Sequence, residues 1–90
     1  MTGKALITGA GRRLGREMAL AMAEAGADIT LAARDAGNLA LIAEEIAARG
    51  RKAQVIEADM ADPATCERVC REALDAHGPF DILVNNIGGR

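Results

Sequence analysis

The chain alternates short, solidly apolar runs with longer stretches in which apolar residues recur every three or four positions. Runs of the first kind suit strands buried on both faces of a parallel sheet, and stretches of the second kind suit helices lying against it. On this pattern Lys4–Thr8, Asp28–Ala33, Lys52–Ala58 and Phe80–Val84 read as strands. Helices are expected from Arg13 to Ala25, from a cap at Asp35 to Arg49, and from Pro63 to His77. Leu14, Met18, Ala21, Met22 and Ala25 would form the inward face of the first helix, Leu39, Ile42, Ala43 and Ile46 that of the second, and Val69, Ala73 and Leu74 that of the third. Gly26, Gly50 and Gly78 stand just past the three helix ends, and Asp62-Pro63 offers an N-cap followed by proline at the first helical position.

Strict alternation of strand and helix implies an α/β fold of the Rossmann type, an open parallel sheet with helices on its faces. Right-handed crossovers then give the strand order 3-2-1-4, with a ligand crevice between strands one and four, where the direction of winding reverses. The segment from Lys4 to Glu17, KALITGAGRRLGRE, leads into that crevice. Gly9 and Gly11 permit a tight turn, and a helix opening near Arg13 would aim free backbone N–H groups at a pyrophosphate. The glycines fall as G-x-G-x-x-x-G (Gly9, Gly11, Gly15), with Leu14 where the common Rossmann fingerprint places its last glycine. Arg12 and Arg13 at a helix start oppose the helix dipole unless an anion lies beside them. In dinucleotide folds a carboxylate at the end of the second strand accepts from the ribose 2′-OH, whereas an arginine there accommodates a 2′-phosphate. Here Ala33 is followed by Arg34, which favours NADP over NAD; Asp35 is better placed as a helix cap.

Composition narrows the chemistry. Half the residues are hydrophobic, but they are mostly Ala, Leu and Ile with Phe80 as the one aromatic, so the core is expected to be thin. A net charge of −2 and no basic run argue against nucleic acid as a partner. No apolar stretch approaches the ~20 residues that span a bilayer, and no signal-peptide pattern precedes Lys4, so a cytoplasmic protein without membrane contact is expected. Cys66 and Cys70, with His77 as the single histidine, supply too few ligands for a metal centre and read as reduced, half-buried small hydrophobes. The chain contains no Tyr, no Trp and no Ser, and its lysines are Lys4 and Lys52 alone.

Three motifs at matching points of this pattern, TGAGRRLG (Thr8 to Gly15), the acidic turn Asp59-Met60 and LVNNIGG (Leu83 to Gly89), resemble the amino-terminal half of the short-chain dehydrogenase/reductase family. The resemblance spans essentially the whole chain. It implies that Gly9, Gly11, Arg12, Leu14 and Gly15 surround the pyrophosphate and adenosine ribose of a nicotinamide cofactor. It implies that Asp59 meets the adenine amino group with Met60 beside it. Asn86, Ile87 and Gly88 would line the adenosine ribose side of the cleft, with Asn85 holding strand four. Arg13 stands where the family most often has Gly, as in the pteridine-reductase-like branch with its TGxxxRxG turn, and Ile87 replaces the Ala of the NNAG motif. Arg34 with Arg12 or Arg13 would form the cationic pocket for a 2′-phosphate. An extended-type sugar-nucleotide epimerase would need glycine at Arg12.

The family's catalytic Tyr, Lys, Ser and Asn all follow the NNAG motif. No catalytic residue is therefore assigned here, and residues 1–90 read as the amino-terminal part of a dinucleotide-binding domain, inactive as a dehydrogenase alone. The expected function is that of an NADP(H)-dependent short-chain oxidoreductase, homo-oligomeric when complete, acting on a small carbonyl or alcohol substrate. The alternative is a stand-alone nucleotide-binding module without catalysis.

Overall fold

The computed structural model describes residues 3–8, 13–34, 36–59 and 62–85 of the chain, the side chains of Arg13, Leu14, Ala36 and Asn85 excepted. Its elements alternate as β1 (Gly3–Thr8), α1 (Arg13–Glu24), β2 (Ala27–Ala33), α2 (Ala36–Ala48), β3 (Ala53–Glu57), α3 (Pro63–His77) and β4 (Ile82–Asn85). All strand pairs are parallel, and the sheet order is β3-β2-β1-β4, as the alternation requires. Gly26 and Gly50 close α1 and α2 with φ of 105° and 79°, a region that residues with a Cβ enter only at a cost. The cap expected at Asp35 lies outside the described residues.

The sheet is clothed unequally. On one face α1 and α2 bury a continuous core in which Ile7, Ile29, Leu31, Leu39, Ile42 and Ile46 lose essentially all contact with water. On the other, α3 contributes Val69 against Ala32, with Ile56, Ala58, Cys66 and Cys70 partly buried around them. Two guanidinium clamps tie α1 to α2 and to the turn that follows it. Arg16 donates to both carboxylate oxygens of Glu45, and Arg49 Nε donates to Glu24 at 3.0 Å. The Glu45 contact raises the Arg16 pKa further above its ordinary value, first through the hydrogen bond and then through its charge.

Helix α1 meets the sheet through a different stripe from the one its large residues mark. Gly15, Ala19, Leu20 and Ala23 are buried and Met22 packs against them, whereas Ala21 and Ala25 are exposed. Glycine and alanine four apart let the helix backbone lie close to the strands, so its small residues face inward. Helix α2 uses the stripe its sequence marks, with Leu39, Ile42 and Ile46 buried and Ala43 packed beside them. In α3 Val69 and Ala73 are buried as expected, but Leu74 is 52 % exposed because nothing among the described residues covers it.

Strand β4 begins two positions later than its apolar run. Asp81 is diverted instead: its backbone N–H donates to Lys4 O at 2.8 Å while its carboxylate accepts from the Lys4 N–H at 2.9 Å. Phe80 lies half-buried beside this junction.

Candidate functional site

Parallel pairing puts every carboxyl end on one edge of the sheet. Thr8 is level with Ala32 on one side and Asn85 on the other, and Ala33 is level with Glu57. The ladder runs one step further through the Ala58 N–H, which donates to Ala33 O at 2.9 Å. The chain winds from β1 outward to β3 and then returns to β4 on the far side of β1, so the reversal falls between Thr8 and Asn85. Open α/β sheets bind their ligands at that point, outside the carboxyl ends. Helix α1 follows β1 at the reversal, and no acid stands in its first turn to answer the positive end of its dipole.

Each described residue of the predicted site falls along this edge. Gly15 is buried in the first turn of α1. Arg34 is exposed immediately past β2, and Asp59 is exposed past β3, the neighbouring strand. Ala33, small and buried, is the last residue of β2 and pairs with Glu57 of β3. Asp59 O accepts from the Asp62 N–H at 3.3 Å, which links that turn to the start of α3. Asp62 itself takes the Thr65 hydroxyl at 2.7 Å, and this bond holds its carboxyl below the usual carboxylate range. Gly9, Gly11, Arg12, Met60, Asn86, Ile87 and Gly88 lie outside the described residues, as do the side chains of Arg13 and Leu14.

Thr8 opens the TGAGRRLG motif, but the sequence assigned it no role of its own. It is 2 % exposed, and its hydroxyl donates to Val84 O at 3.4 Å, a long and weak bond across the reversal. The available signal was a lone hydroxyl at the last position of an otherwise apolar strand. A cavity of about 190 Å³ sits at the opposite, amino-terminal edge, among Lys4, Asp28, Lys52, Gln54, His77 and Phe80. Among the described residues it shares no lining with Thr8, Gly15, Arg34 or Asp59.

The short chain dehydrogenase family matches residues 3–90. This chain belongs to the short-chain dehydrogenase/reductase family. An uncharacterised oxidoreductase of Mycobacterium tuberculosis is 47 % identical over 85 residues, covering 94 % of this chain and 32 % of the relative. Among solved structures, L-sorbose reductase from Gluconobacter frateurii, complexed with NADPH and L-sorbose, superposes with a TM-score of 0.87 at 31 % identity, covering 98 % of this chain and 34 % of that one. An NADH-dependent reductase complexed with NAD superposes at 0.86 with 28 % identity, covering 98 % and 37 %. The chain thus spans about a third of the length of the curated relatives it matches. Its family is one of oxidoreductases acting on small molecules, with members that bind NADP and members that bind NAD. No helix among the described residues is long and apolar enough to cross a membrane.

Proposed function

We propose that residues 1–90 are the amino-terminal, cofactor-binding part of an NADP(H)-dependent short-chain oxidoreductase that interconverts a small carbonyl compound and its alcohol. The observation that carries this reading is the end of β2, where buried Ala33 stands in place of a carboxylate and exposed Arg34 supplies a cation at the carboxyl edge of the sheet. In this reading Gly9, Gly11, Arg12, Leu14 and Gly15 wrap the pyrophosphate at the start of α1. Arg34, with Arg12 or Arg13, holds the 2′-phosphate; Asp59 and Met60 meet the adenine; Asn86, Ile87 and Gly88 line the ribose. When bound, the cofactor supplies the hydride. The chain's own share is binding and orientation, because it holds no Tyr or Ser to move the accompanying proton. The complete enzyme is read as a cytoplasmic homo-oligomer without nucleic-acid or membrane partners.

Titration with NADPH and NADH, followed by nicotinamide fluorescence, tests the reading. A charge-assisted contact to phosphate contributes about 1.5–3 kcal/mol, so Arg34→Asp should weaken NADPH by about 10- to 150-fold and reverse the preference. Equal wild-type affinities for the two cofactors would refute it.

A further inference from the structure

Helix α3 sets two thiols one turn apart. Cys66 and Cys70 are four residues apart and therefore share a face. Both are free and half-buried, packed beside Ile56 and Ala58 around Ala32 and Val69. Burial, and after it the neighbouring Cys66, push the Cys70 thiol up, which favours its neutral form. Among the described residues no group of three His, Cys, Asp or Glu could hold a metal ion, so a tetrahedral zinc-type centre has no ligand set here.

Direct oxidation conflicts with the helix. Side chains one turn apart have Cβ atoms about 5–6 Å from each other, whereas a disulfide needs about 3.5–4.5 Å. An S–S bond would thus require α3 to unwind between Cys66 and Cys70. A bridging atom removes the conflict, because each sulfur then has only to reach the bridge.

We propose that Cys66 and Cys70 form a binding site for a soft, thiophilic, trivalent centre of the organoarsenical class, held between the two sulfurs with α3 intact. With an arsine oxide the reaction balances without redox change. Two As–S bonds form, the As–O bond breaks, and both thiol protons leave with that oxygen as water while arsenic stays trivalent. The second As–S bond closes within one molecule, so its effective concentration is high and the chelate far outlasts a single thiolate adduct.

Phenylarsine oxide is the probe, added to the reduced chain and followed by intact mass, free-thiol titration and far-ultraviolet circular dichroism. The expected result is one arsenical per chain, both thiols lost together and unchanged helicity. Cys66→Ala and Cys70→Ala should each weaken binding by about 100-fold or more. Cys70→Ala combined with Arg68→Cys keeps two thiols but turns them to different faces, and should be as weak as the single variants. Two arsenicals per chain, loss of helix on binding, or full affinity in the off-face variant would overturn the proposal. The wild-type stoichiometry decides it even where a variant folds poorly.

Discussion

Replacing Ala19 by leucine tests how α1 is seated. Ala19 is fully buried and Ala23 2 % exposed, both within the core that holds Ala5, Ile7 and Ile29, so three added carbons have no free volume to enter. Overpacking of this kind costs about 1–3 kcal/mol. A chain of this length has total stability of about 5–13 kcal/mol on a per-residue scale, so the loss is a large fraction. Each kcal/mol lowers Tm by about 4–8 °C in domains of this size. Ala21→Leu, on the exposed side of the same helix, should stay within about 0.5 kcal/mol of the wild type. Helix propensity is nearly constant across the pair, since Ala and Leu both rank high, so the difference isolates packing. Thermal and urea unfolding monitored at 222 nm would measure it. If Ala21→Leu proved the more damaging, the helix would be rotated to present Met18, Ala21 and Ala25 inward, and the argument for close approach through alanine would fail.

Gly78→Ala should cost about 1–3 kcal/mol in urea unfolding, because a Cβ there would stand 2.6 Å from Leu74 O, at the end of α3 where the Gly78 N–H caps the helix. Asp62→Asn should flatten the acid limb of a stability-versus-pH curve: the depressed carboxyl contributes above its unfolded pKa and loses that contribution as pH falls through the folded one, so an unchanged limb would contradict the Thr65 contact. Leu83 is 66 % exposed on β4, whose described pairing is with β1 on one side, so the chain should self-associate in sedimentation and Leu83→Lys should shift it toward monomer.

The strands and their order were legible because the apolar runs are short, are bounded by glycine and proline, and admit one right-handed winding. The inward face of α1 was not. In an alanine-rich helix the eye follows Met18 and Met22, while the physics of close approach selects Gly15, Ala19 and Ala23. The start of β4 misled for a related reason: Phe80 continues the apolar run, but Asp81 is held by the Lys4 backbone and delays the ladder. The Arg16–Glu45 clamp joins residues 29 apart, a distance at which sequence carries no sign of pairing.

At the candidate site residue type and strand position singled out Ala33-Arg34, and the family resemblance singled out Asp59; their mechanical settings differ. Ala33 joins the α1/α2 face, where the largest buried side chains interlock and two ion pairs bind the helices together. Gly15 sits in the first turn of one of those helices. Asp59 follows β3, whose exposed Val55 marks the sheet's thin edge, and its neighbouring helix rests on little more than Val69 and Ala73. In the proposed reading, a phosphate held near Gly15 and Ala33 would meet backbone fixed by that core, whereas the exposed Arg34 side chain would have to be ordered on binding. A base held at Asp59 would meet a surface with few packing contacts to fix it. Under the proposed reading, the preference between the two nicotinamide cofactors follows from the charge of Arg34 and the missing carboxylate at Ala33, and the packed strand end serves to place them.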